Sequence, residues 1–144
     1  MFLGTYEHTL DTKGRMTIPV KYRDLVSDGA YITKGFDQNL MVLTDEIFQR
    51  LFDRITNMNM ANPTARELRR LMFANAFSVE VDKAGRILIP QILRSHAVLD
   101  GEALILGNGS YFEIWSPNLW QDHSDKQISS DATNERYATL DLSL

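Results

Sequence analysis

Cysteine is absent from the 144 residues, which excludes a disulfide framework and thiolate metal sites. Histidine occurs three times, at His8, His96 and His123, with no His-x-x-His or His-Glu-x-x-His spacing that would hold zinc. No Gly-x-Ser-x-Gly elbow is present, and Gly107-Asn-Gly109 lacks the Gly-Lys-Ser/Thr sequel of a phosphate loop. No apolar run approaches the ~20 residues that span a bilayer. The opening residues, Met1-Phe-Leu-Gly-Thr-Tyr-Glu7, lack the basic and long apolar regions of an export signal. These absences predict a cytoplasmic protein that is not an enzyme, with no metal, no cofactor, no small-molecule substrate and no membrane association.

Net positive charge is also missing: the formal charge is −4 and the pI about 5.3. A nucleic-acid binder would ordinarily be basic. The deficit is uneven, however. Residues 121–144 carry five carboxylates against Lys126 and Arg136, a net −3. Residues 1–23 carry Lys13, Arg15, Lys21 and Arg23 against Glu7 and Asp11, a net +2. Local charge governs the field at a contact, because screening limits its reach to about 8 Å at physiological salt. With 44% hydrophobic residues and a mean hydropathy of −0.24, the chain can still build a core.

What the sequence does have is a repeat. Leu10-Asp-Thr-Lys-Gly-Arg-Met-Thr-Ile-Pro19 returns 71 residues later as Val81-Asp-Lys-Ala-Gly-Arg-Ile-Leu-Ile-Pro90. Five unlike residue types recur in one order, Asp-x-x-Gly-Arg-x-x-Ile-Pro, so one supersecondary unit occurs twice. In each copy, alternating apolar residues flank a glycine turn, predicting strands over 6–11 and 15–18 and again over 77–82 and 86–89. A proline then opens a short helix, 19–26 and 90–98, where a missing amide costs nothing at the first position. Two more strands follow, 30–33 with 40–43 and 103–106 with 111–115. Thr44 and Ser116 read as caps of the next helices. Residues 63–76 predict a further helix, and 56–61 a loop.

The fold expected is mainly β with flanking helices (α+β): two β-β-α-β-β repeats swapping hairpins into one barrel that removes sheet edges. Residues 1–55 form the first repeat with its trailing helix, 56–75 a linker loop and helix, 76–121 the second repeat, and 122–144 an acidic, flexible tail.

Arg15 and Arg86 are the sharpest candidate site residues. A guanidinium can clamp phosphate or read guanine O6 and N7. It can equally well pair with Asp11 or Asp82, four residues earlier, in an exposed ion pair of little energetic consequence. Both roles are compatible, since the aspartates could orient the arginines. Gly14 and Gly85 serve the turn conformation. Lys13 and Lys83 lie in the turns; Lys21, Arg23 and Arg94 lie on the proline-initiated helices. Arg23 and Arg94 are again 71 residues apart, predicting one shared role, on a DNA-facing rim or in a subunit contact. Arg66, Arg69 and Arg70 read as a solvated helix face, and Trp115 and Trp120 as packing residues.

The paired Asp11–Arg15 and Asp82–Arg86 motifs, with Gly4-Thr5-Tyr6 and Phe112-Glu-Ile-Trp115, resemble the MraZ family, bacterial proteins with tandem SpoVT/AbrB-type repeats. The likeness runs to about Trp120. It implies a swapped-hairpin barrel and a sequence-specific transcriptional regulator, nucleoid-associated. Its target would be the promoter of the division and cell wall gene cluster, including its own gene. It also implies ring-like homo-oligomers whose basic surfaces meet short direct repeats in double-stranded DNA. The alternatives are an antitoxin-like module that masks a partner protein and, third, a small hydrolase.

Overall fold

Both halves of the chain run strand, turn, strand, short helix, strand, strand, long helix. In the first half these are β1 (Thr5–Thr9), β2 (Arg15–Thr17), α1 (Val20–Arg23), β3 (Ala30–Lys34), β4 (Leu40–Thr44) and α2 (Asp45–Thr56). An extra helix, α3 (Pro63–Phe73), links it to the second half. There follow β5 (Phe77–Val79), β6 (Arg86–Leu88), α4 (Gln91–His96), β7 (Glu102–Gly107), β8 (Tyr111–Trp115), α5 (Pro117–Ile128) and α6 (Thr133–Ala138). The structure is a computed structural model that describes residues 1–128, 133–141 and 143.

The strands pair antiparallel, and most of the pairs cross between repeats. A six-stranded sheet runs β1-β7-β8-β4-β3-β5, and β2 with β6 forms a separate two-stranded ribbon. The first strand of each half therefore joins the other half: β1 pairs with β7, and β5 with β3. At the centre, β4 and β8 pair about a pseudo-two-fold axis, with Leu40 opposite Ile114 and Leu43 opposite Tyr111. The expected closed barrel is not what forms, because the six-stranded sheet ends at β1 and β5 rather than closing on itself. Nor are the turns of residues 12–14 and 83–85 hairpin turns of a continuous ladder. A single bridge, Leu10 to Met16, joins β1 to β2. The turn directs β2 across the core, where its inward side chain is buried beside that of β6.

That core explains the alternation. Met16 and Ile87 on the ribbon, Ile32, Ile105, Phe112 and Ile114 on the sheet, and Tyr22 and Leu93 on the short helices make one fully buried cluster. A second, smaller cluster on the other sheet face joins Met41 and Leu43 to Ile55 of α2 and Met72 of α3. Thr33 Oγ1 donates to Met72 O at 2.8 Å, tying α3 to β3.

Helix starts follow their caps. Thr44 Oγ1 accepts from Ile47 N–H at 3.3 Å, and Asn62 Oδ1 from Thr64 N–H at 2.9 Å. Pro19 and Pro90 stand one place earlier than predicted, as cap residues with extended ψ of 140° and 147° before helices of only four and six residues. Within the acidic stretch 122–144, α5 continues through Ile128 and α6 covers Thr133–Ala138. The boundary at 121 thus falls inside α5; residues 129–132, 142 and 144 lie outside those described.

Candidate nucleic-acid interface

Each repeated motif closes on itself through its aspartate. Asp11 Oδ1 accepts from the backbone N–H of Lys13 and of Arg15, both at 2.9 Å, and its Oδ2 accepts from Arg15 Nε at 2.8 Å. Asp82 repeats the pattern with Ala84 N–H, Arg86 N–H and Arg86 Nε, each at 2.9 Å. This is an Asx-type turn in which a short side chain stands in for backbone acceptors. A carboxylate is needed because it must take three donors at once. The arginine must lie four residues on, where the reversed chain returns its side chain to the second oxygen. Glycine follows from the turn as well, with φ of +85° at Gly14 and +77° at Gly85.

The Arg15 backbone N–H is the largest cause holding the Asp11 carboxyl down to about 2, below its ordinary 3.8, with the Arg15 side chain and the Lys13 N–H adding to it. Asp82 is lowered in the same way, first by Arg86 N–H. A depressed carboxylate contributes stability that is whole above the ordinary value and lost as pH falls through the folded one. The Asp11 turn should therefore hold at pH 5 and weaken between about pH 4 and about pH 2, and the Asp82 turn should weaken as its own lowered carboxylate protonates. Amide exchange at Lys13 and Arg15 across that window checks this; protection unchanged down to pH 2 would contradict it.

The ribbon sets where the arginines point. Met16 and Ile87 face inward at 0% and 1% exposure. Period-two alternation then turns their neighbours outward. In register, Arg15 lies opposite Leu88, and Thr17 opposite Arg86. Both arginines thus share one outward face, with side-chain exposures of 35% and 33%. Arg86 Nη1 reaches Asp11 Oδ2 at 3.9 Å, so one carboxylate oxygen lies beside both guanidiniums. The hydrogen bonds made by these arginine side chains among the described residues use only Nε. The Nη groups, four N–H donors on each guanidinium, make no hydrogen bond among the described residues, although Arg86 Nη1 lies within ion-pair range of Asp11.

Lys13, Lys83 and Lys21 are exposed. Arg23 and Arg94 are half-buried and play the same part as each other. Arg94 Nε donates to Ile89 O at 3.0 Å and Arg23 Nε to Ile18 O at 3.3 Å. A Cβ built on Gly14 would lie 2.6 Å from Arg94 Cζ, and one on Gly85 2.2 Å from Arg23 Cζ. The guanidinium of each short helix therefore sits behind the turn glycine of the opposite repeat. Ladder bonds run alongside, from Ile89 N–H to Gly14 O at 2.9 Å and from Ile18 N–H to Gly85 O at 3.0 Å. Those glycines are conformational and also leave room for an arginine.

Two of the three linker-helix arginines are not simply solvated. Arg66 donates to Met60 O at 2.9 Å and Arg69 to Thr56 O at 2.7 Å, fastening α3 to the end of α2 and its loop. Trp115 and Trp120 pack edge to face at 5.3 Å. An open cleft of about 650 Å³ beside β1 and α5 gathers Glu7, His8 and Glu102. No hydrogen bond joins His8 to a nucleophile among the described residues. Sequence reasoning passed over Thr17 and Leu88, whose place between the arginines depends on the cross-repeat register.

A two-repeat α+β protein that exchanges strands between its halves and displays an arginine pair on a shared ribbon is the class these observations define. A family model described as "MraZ protein, putative antitoxin-like" matches residues 1–71 and again 72–141. Relatives named transcriptional regulator MraZ agree. That from Herpetosiphon aurantiacus is 46% identical over 84% of this chain and 85% of its own. That from Roseiflexus castenholzii is 44% identical over 85% of each, and that from Thermomicrobium roseum 41% identical over 97% of this chain and 99% of its own. The chain belongs to the MraZ family, and the match extends into the C-terminal residues that carried no motif.

Proposed function

We propose that the protein is a transcriptional regulator that binds double-stranded DNA through the β2–β6 ribbon. The observation carrying this reading is the outward pairing of Arg15 and Arg86, each held at Nε by its aspartate, with no hydrogen bond at Nη among the described residues. A two-stranded ribbon fits the major groove, and a pre-oriented guanidinium suits guanine O6 and N7 there. The aspartates have a second consequence. They offset part of the arginine charge, which weakens indiscriminate attraction to phosphate while leaving the directional donors in place. Lys13, Lys83 and Lys21 supply phosphate contacts around the ribbon. Arg23 and Arg94 support the turns from behind.

The target proposed is the promoter of the division and cell wall gene cluster, including the protein's own gene, through short direct repeats. One acidic protomer with so small a basic face binds weakly. A ring-like homo-oligomer that engages several repeats at once raises the effective concentration and supplies the missing affinity. The relatives' shared name, transcriptional regulator MraZ, supports regulation as the role.

Footprinting the purified protein on DNA upstream of its own gene tests this. Protection should cover evenly spaced direct repeats. Affinity should fall steeply with salt, with a log–log slope near −0.9 per phosphate neutralised. Absence of protection at low salt, or co-purification with a small toxin in its place, would favour a partner-masking role.

A further inference from the structure

The outward face of the ribbon is not symmetric, although the repeat that builds it is. Positions 17 and 88 are equivalent, 71 residues apart, yet one is threonine and the other leucine. Leu88 is 57% exposed. It stands directly across from Arg15, with Arg86 two residues earlier on its own strand and face. An apolar side chain there does nothing for the core, which the inward Met16 and Ile87 already fill. A hydrophobic protein partner is a poor occupant, because seating it would strip water from the two flanking guanidiniums without offering them acceptors. Duplex DNA meets both demands at once. Its major groove offers acceptors to the arginines and a single kind of apolar group, the C5-methyl of thymine.

We propose that Leu88 is a specificity-determining residue that packs against a thymine C5-methyl, within one or two base pairs of the bases met by Arg15 and Arg86. The spacing follows from the ribbon. Cross-strand neighbours lie about 5 Å apart and residues i and i+2 about 7 Å, against about 3.4 Å per base step. Thr17, at the equivalent place opposite Arg86, presents a hydroxyl and reads a hydrogen-bonding edge. The two repeats of one protomer then read unequal half-sites, which gives the bound element a direction. The inference rests on the proposed DNA-binding role of the same ribbon.

The test uses the full-length oligomer and the duplex protected upstream of its own gene. Each thymine in the protected site is replaced in turn by deoxyuridine, which deletes only the methyl. At one position the wild type should lose roughly fourfold in affinity, the worth of one buried methyl. For Leu88→Ala and Leu88→Thr that penalty should shrink below about twofold, with oligomer size and salt slope unchanged. Wild-type binding that is indifferent to every deoxyuridine overturns the inference, as does a penalty that persists in both variants. A change of oligomer size in either variant also overturns it, by assigning Leu88 to a subunit contact. Failure of the underlying role looks different, since the wild type would then bind the unmodified duplex no better than an unrelated one.

Discussion

Replacing both ribbon arginines, Arg15→Ala with Arg86→Ala, is expected to lower affinity for the protected promoter segment by about two orders of magnitude or more. A good guanidinium–base pairing contributes roughly 1–3 kcal/mol, and every 1.4 kcal/mol is tenfold. Folding should survive. Each arginine side chain is about one-third exposed, and each aspartate keeps its two backbone donors after the guanidinium is gone. The single variants should not combine additively. Arg86 reaches the carboxylate that holds Arg15, so removing either arginine changes the surroundings of the other. Lysine at the same places should restore the salt slope without restoring sequence preference, because it carries the charge but not the planar fork. Gel shift and size-exclusion chromatography on the same preparations decide the matter. Binding at full strength by the double alanine variant would remove the ribbon from consideration.

The second large effect concerns stability. Gly14→Ala should destabilise the fold by about 2–3 kcal/mol. The left-handed conformation, φ +85°, costs a non-glycine residue roughly 1–2 kcal/mol. The new methyl would also sit 2.6 Å from the Arg94 guanidinium and 2.9 Å from Ile89 O. Arg94 would have to leave the carbonyl it bonds, at a further cost of about 1 kcal/mol. Gly101→Ala is the control: its φ is +76°, but no atom lies within 4 Å of the added carbon. It should lose only the conformational part. Thermal melting should separate the two variants by several degrees. Equal losses would mean that Arg94 does not brace the turn.

Much of this was open to reading in one dimension. The 71-residue repeat announced two equivalent halves, and Thr44 marked a helix start that the structure caps as written. Asp11 with Arg15 and Asp82 with Arg86 could be paired from spacing alone, because the turn between them is local. Arg23 and Arg94 were recognisable as equivalent, but their task was not: each braces a glycine 60 or more residues away on the other repeat, Gly85 for Arg23 and Gly14 for Arg94. Arg66 and Arg69 likewise resembled a solvated face, since their carbonyl partners lie beyond the reach of helical periodicity. The barrel was over-read, because two four-stranded units with bare edges can be completed by exchanging strands without closing a single ladder.

The sequence by itself determined the repeat, the self-closing aspartate turns, the alternation that buries Met16 and Ile87, and hence the outward direction of their neighbours. The turns and the alternation are settled within a few residues, by side-chain reach and backbone conformation. Only the tertiary structure decided that β2 lies against β6, that Asp11 stands beside both arginines, and that Leu88 faces Arg15. Backbone hydrogen bonds are alike for every strand. The choice of partner and register therefore falls to burial across the whole core.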